Sequence, residues 1–171
     1  MMSALLERLL LVALIVASGV VPGFIQQYRQ QVNGRLEQVR ADLEPFISIA
    51  RQRHGGDLQR LVDHHLASSD VTFVRVGDAI NAMVDSMASL TDANAALDAP
   101  LVAQVWYLAG HADRAIAAAT WQVFEPAFVL TTQGVVFALV AGVAVWVFLL
   151  GIGRAARAGF RAFLSSRSAA R

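Results

Sequence analysis

No acidic or basic residue occurs in residues 126–153. Residues 135–152 alone are long enough to cross a bilayer core at about 1.5 Å of rise per residue. Backbone in hydrocarbon must satisfy its own hydrogen bonds, so the stretch predicts a helix and excludes an open strand or loop. Thr131 and Thr132 precede it as candidate N-caps. Gly134, Ala138 and Gly142 recur every fourth residue. That spacing puts three small side chains on one ridge, which would admit close approach of another helix. The composition agrees: 56% of residues are apolar and only 16% charged, against about 45–50% and about 25% in an average soluble domain.

A second apolar run covers residues 5–25, with Glu7 and Arg8 as its only charged residues. It also reaches roughly 30 Å as a helix, one bilayer core. Ala13 and Ala17 are the expected counterpart of the glycine ridge. A cleaved signal peptide is the competing reading, with residues 9–16 as its apolar core and a processing site after Ala17-Ser18-Gly19. Two features favour an uncleaved anchor: the single Arg8 is neutralised by Glu7, and helical periodicity continues past Pro22-Gly23.

Charge is segregated along the chain. Residues 27–125 carry eight arginines and twelve acids, whereas the segment after residue 125 carries five arginines and no acid. The arginines trailing the second run (Arg154, Arg157, Arg161, Arg167, Arg171) place that end in the cytoplasm by the positive-inside rule. The N-terminus is then cytoplasmic too, and the middle segment lies outside. Tyr28, Trp121 and Phe124 fall near the outer interface and Trp146 nearer the inner one. In the tail, Ala156, Phe160, Phe163 and Leu164 share one side of a helix, and Arg154, Arg157 and Arg161 share another. That pattern suits an anchoring helix at an anionic surface. The expected organisation is a first transmembrane helix (1–26), a periplasmic helical domain (27–125), a second transmembrane helix (126–153) and a basic cytoplasmic tail (154–171).

The middle segment reads as helical. Val32, Leu36, Val39, Leu43, Phe46 and Ala50 are spaced 4, 3, 4, 3, 4, a heptad-like stripe. Arg40 and Glu44 stand one turn apart on its polar side. Pro45 is expected to kink or break this helix near residues 41–44, at about 3 kcal/mol for an interior position. His54-Gly55-Gly56 is a helix stop, and Asp57 a cap for a short helix with Leu58, Leu61, Val62, His65 and Leu66 inward. Ser68-Ser69-Asp70 is a turn and a new cap. Phe73, Val76, Ile80, Met83, Met87, Leu90 and Leu97 form the next apolar face. Residues 71–76 alone would suit a strand, but the long continuation favours helix. Pro100 opens another helix, Gly110 is a candidate break, and Ile116, Trp121 and Phe124 continue the pattern to Pro126. The predicted fold is an all-α membrane protein: two transmembrane helices flanking a periplasmic antiparallel bundle of three or four helices.

Little in this chain suggests catalysis. It has no cysteine, which removes disulfides, thiolate metal sites and a cysteine nucleophile, and no lysine, which removes Schiff-base chemistry and a Walker-type phosphate loop. His54, His64, His65 and His111 are the plausible metal ligands. Asp63, His64 and His65 are adjacent, so they fan out by about 100° per residue on a helix. Asp57 and His64 could share a face, with His54 or His111 joining in three dimensions. No His-x-x-x-His pair is present. Ser68 and Ser69 beside the histidines fit an N-cap better than a triad. Asp42 and Glu44 point apart on a helix, and Met83 and Met87 read as core. No catalytic, cofactor-binding or metal residue is assigned. Nucleic-acid binding lacks a basic patch on the middle segment.

Several local patterns occur together: Val21-Pro22-Gly23-Phe24-Ile25 with Gln27-Tyr28; Gly55-Gly56-Asp57-Leu58 with His64-His65; Ser69-Asp70 followed by Phe73; and Trp121 leading to Leu130-Thr131. With these the chain resembles a proteobacterial family of two-span membrane proteins, domain of unknown function 2937, over roughly residues 5–150. The resemblance implies a bacterial inner-membrane location and brings no activity, cofactor or catalytic residue.

The functional expectation is a non-enzymatic scaffold or accessory subunit that binds a protein partner, or itself, through its periplasmic helices. The alternative is a periplasmic ligand-sensing module. Only 18 residues follow Gly153, so a sensor of this layout is expected to signal through a separate protein. An enzyme acting on lipid or envelope substrates carries the least support.

Overall fold

The computed structural model describes residues 2–126 and 131–168, with side chains described over 5–126 and 131–156. Among the described residues the regular structure is all helical: α1 (Met2–Arg53), α2 (Leu58–Leu66), α3 (Val71–Leu97), α4 (Leu101–His111), α5 (Arg114–Gln122) and α6 (Thr132–Ser168). The chain divides into two compact units. One comprises residues 1–24 and 125–171, the other residues 25–124.

The first unit pairs the N-terminal part of α1 with α6. Both helices are long and apolar enough to cross a membrane, and only 22% and 11% of their most apolar windows are buried. A core helix of a soluble protein would bury most of such a window. What is buried is small. Gly134, Ala138 and Gly142 all lie inside. A Cβ placed on Gly142 would stand 2.7 Å from the Ile15 Cα, so the two backbones are in contact there. The glycine ridge is thus a packing face. Its counterpart is not Ala13 and Ala17, which are exposed, but Ile15, Ser18, Gly19 and Pro22. α6 opens as expected: the Gly134 N–H donates to the Thr131 hydroxyl at 3.1 Å. It then continues without a break past Gly153. The amphipathic pattern expected for the tail falls on side chains from residue 157 on, outside those described.

The second unit buries the heptad-like stripe. Tyr28, Val32, Leu36, Leu43 and Ala50 of α1 are almost wholly inaccessible, with Leu61 and Val62 of α2, Ile80 and Leu97 of α3 and Ile116 of α5. Leu43, Val62 and Ile80 form the centre of one cluster, flanked by Val39, Phe46, Leu58, Met83 and Met87. Leu43 packs with Ile80, and Arg29 pairs with Asp98. Going back along α1 thus means going forward along α3, so the two run antiparallel.

Several expectations are corrected. Pro45 does not break α1, which runs continuously through Pro22 and Pro45 to Arg53. Pro45 and Ala41 are exposed, so water can solvate the Ala41 carbonyl that proline leaves without a donor. Leu43 and Phe46 on the opposite side hold the helix in place. Leu66, Phe73 and Val76 are exposed rather than inward. Gly77, Val84 and Ala93 share the inner side of α3 instead. Arg40 pairs with Glu37 and Glu44 with Arg51, not with each other.

Candidate functional site

The family-like motifs of the middle segment meet at one corner of the helical unit. α1 stops because Gly55 and Gly56 adopt positive φ of 67° and 87°, where L side chains are strained. That turn lets the Gly56 N–H close back onto the Ala50 carbonyl at 3.0 Å, satisfying a helix-end acceptor. The Asp57 carboxylate then accepts from the Gln59 and Arg60 N–H groups, and Asp70 caps α3 through the Thr72 N–H. α2 and α3 approach closely at Gly77, where an added Cβ would lie 2.9 Å from that of His65.

This corner gathers three of the four histidines. The His54 and His64 ring centroids are 5.5 Å apart, and those of His64 and His65 6.1 Å. Their neighbours are already engaged. His65 Nδ1 lies 2.8 Å from the Leu61 carbonyl oxygen and its ring stacks on Phe73. Asp57 serves as a cap, and Asp63 accepts from Gln59. His111 is stacked on Tyr107 of its own helix. Among the described residues no group of three or more His, Cys, Asp or Glu could hold a metal ion. The Ser68 hydroxyl accepts from the Asp70 N–H at 3.1 Å; its role is in the turn. Asp42 accepts from Gln38 on the polar side of α1.

A second feature was not foreseen. A cleft of about 270 Å³ lies between α1, α3 and the start of α5, lined by Arg35, Gln38, Ser86, Ser89 and Asp113 over a floor of Val39, Leu90 and Ile116. Asp113 is committed to capping α5 through the Ile116 N–H. The spacing of Arg35 and Gln38 on α1, and of Ser86 and Ser89 on α3, puts each pair one turn apart beside the buried stripes. Sequence shows those spacings, but only the packing of α1 against α3 brings the pairs together.

Below the cleft, Tyr28 is fully buried, and its hydroxyl oxygen accepts from the Asp113 N–H at 3.0 Å. Burial pushes the Tyr28 phenol above the usual tyrosine range, against a smaller opposing effect of that hydrogen bond. Burial raises Tyr107 as well.

Part of the apolar surface left over lies near the histidine corner. The α1 stripe is consumed within the chain and offers nothing to a partner. Leu66, Val71, Phe73 and Val76 remain exposed around the α2–α3 turn.

A family model described as "Protein of unknown function (DUF2937)" matches residues 2–162. No curated protein and no solved structure matches the chain.

Proposed function

The chain belongs to the DUF2937 family, whose function is unknown, and from that premise we propose that it is a two-span bacterial inner-membrane protein acting, without catalysis, as a scaffold or accessory subunit. Its helical unit faces the periplasm and holds a protein partner. Both apolar helices leave most of their side chains uncovered, which suits lipid, and the arginine-rich end suits the cytoplasm. The observation that carries the partner reading is the exposed apolar set Leu66, Val71, Phe73 and Val76. It lies where the family-like Gly-Gly-Asp-Leu, His-His and Ser-Asp motifs meet, while the longer apolar stripes are spent inside the chain. Exposed clusters of this kind mark contact sites more often than single exposed residues do.

Two experiments test the proposal. Reporter fusions after residue 90 are active only with a periplasmic reporter, and fusions after Arg171 only with a cytoplasmic one; the reverse pattern overturns the orientation. A photo-crosslinking residue at Phe73, in intact membranes, yields a discrete protein adduct that the Val76→Asp variant loses. Recovery of monomer alone from Phe73, as from a control at exposed Gln59, removes the scaffold reading.

One observation favours the sensing alternative. Arg35, Ser86 and Ser89 line the cleft, and Arg35 offers a positive charge beside two hydroxyls. A small anionic or zwitterionic ligand is the chemistry this set would recognise. Thermal stabilisation of the full chain by such a molecule, lost in Arg35→Ala, would decide for it.

A further inference from the structure

α4 breaks the rule that the rest of the helical unit obeys. It contributes no fully buried residue, and its outward face consists of Val102, Ala103, Trp106, Ala109 and Gly110. Trp106 is 73% exposed and Val102 60%. The helix has no Asp, Glu, Lys or Arg anywhere in its length. A helix on a water-facing surface normally turns its charged residues outward; this one has none to turn.

Its position explains the composition. The residue pair flanking α4 is tied to two successive residues of α1. Asp98, just before α4, is paired with Arg29, and the N–H of Asp113, just after it, donates to Tyr28. α4 has 11 residues and is therefore roughly 16 Å long. Lying along α1, its ends would be separated by about eleven α1 residues; instead they share one level. α4 therefore lies across α1. That level is low: Tyr28 and Arg29 follow the end of the apolar run at Ile25 by three and four residues, about 5 Å of helix rise. Helix side chains also lean toward the N-terminus, which brings both ties closer still to the end of that run.

We propose that α4 is an interfacial helix, with Val102, Trp106 and Ala109 seated in the headgroup region of the bilayer that α1 crosses. An apolar, uncharged face bearing a tryptophan is what that zone accommodates, with the ring in acyl chains and the indole N–H among polar groups. The cross-helix would steady the helical unit on the membrane surface. This inference rests on the membrane reading of α1 and α6 given above.

The test uses the full chain in phosphatidylcholine–phosphatidylglycerol vesicles, with and without phosphatidylcholine brominated on its acyl chains. The double variant Trp121→Phe/Trp146→Phe leaves Trp106 as the only indole, and Trp106→Phe/Trp121→Phe leaves Trp146. Trp106 is expected to emit at blue-shifted wavelength, to lose most of its emission to shallow bromines and to resist aqueous acrylamide several-fold better than free tryptophan. If Trp146 is quenched by bromine while Trp106 answers only to acrylamide, the interfacial helix is wrong and the span stands. If neither indole is quenched by bromine, the membrane reading itself is wrong. Trp106 shielded from both quenchers means that protein covers α4, which also overturns the proposal. Because the chain has no cysteine, Val102→Cys carries a lone nitroxide with all three tryptophans intact. Its collisions are expected to be more frequent with oxygen than with a water-soluble nickel chelate, and the reverse ranking overturns the proposal independently.

Discussion

The pair formed by α6 and the start of α1 is built the opposite way from the unit of residues 25–124. In the pair, the large apolar side chains, such as Leu9, Val16, Leu139, Val140 and Phe148, point outward, and glycines and alanine occupy the contact. In the helical unit Leu43, Val62, Ile80 and Leu97 are inside, and arginines and aspartates cover the outside. The membrane placement proposed for the pair would account for the inversion. In water, burial of apolar area stabilises by about 25 cal/mol per Å², so large side chains go inward. In lipid that drive between helices is absent, and close van der Waals contact between backbones replaces it. One chain thus carries two packing rules, and the change falls within the unbroken helix α1.

The contrast is most exposed to failure at matched truncations. Ile80→Ala opens a cavity in the helical unit and is expected to cost about 2–5 kcal/mol, read as a lower thermal midpoint of the purified chain. Leu139→Ala removes the same kind of side chain from the outer face of α6 and should be nearly silent in detergent. Equal losses would mean that α6 is buried against protein and that the inversion is false.

Bulk at the small-residue contact comes next. Gly142→Ile drives a side chain into the Ile15 backbone and is expected to cost about 1–3 kcal/mol, with oligomeric state unchanged because Ile15 belongs to the same chain. Val143→Ile, about 100° around the helix and exposed, is the control. If both variants melt alike, the close approach of α1 and α6 does not contribute.

Tyr28→Phe sharpens the comparison from the other side. It keeps the buried ring but leaves the Asp113 N–H without its acceptor, at about 1–2 kcal/mol. The pH dependence has a defined sign. An unfolded tyrosine ionises near pH 10, whereas burial holds the folded phenol protonated to higher pH. Stability from this source is therefore complete below about pH 10 and is lost as pH rises through the folded value. The variant should show a shallower alkaline decline, with Tyr107 supplying the remainder. An unchanged decline would show that Tyr28 is exposed in solution.

The smallest expected effect is at the family-like corner. Asp57→Ala removes the cap of α2 and should cost about 1 kcal/mol, with Asp57→Asn retaining most of the stability. Chemical denaturation of the full chain measures both.

The elements most legible in advance were those written by local chemistry. The Gly55-Gly56 stop, the Asp57 and Asp70 caps and the Thr131 start of α6 depend on side chains within a few residues of the backbone groups they satisfy. The break expected at Pro45 failed for the same local reason. Its lost hydrogen bond counts fully in an isolated helix, whereas here the freed carbonyl faces water while Leu43 and Phe46 are clamped by α2 and α3. Phe73 and Val76 misled because an apolar period on α3 says which residues share a face, not where the short helix α2 ceases to cover it. Ala13 and Ala17 were the small residues in view, yet the contact uses Gly19 and the Ile15 backbone.

By itself the sequence determined the helical character of the chain, its two long apolar stretches, the glycine ridge and the ends of most helices, because each follows from hydrogen-bond satisfaction and periodicity within about ten residues. Tertiary structure alone decided the rest. It chose which face of α1 meets Gly142, set α3 antiparallel to α1, gathered Arg35, Gln38, Ser86 and Ser89 around one cleft, and tied the residues flanking α4 to the adjacent Tyr28 and Arg29. Those outcomes depend on contacts between residues far apart in the chain, such as Tyr28 with Asp113 and Arg29 with Asp98. Local propensity carries no term for such pairs, and only the packed chain supplies one.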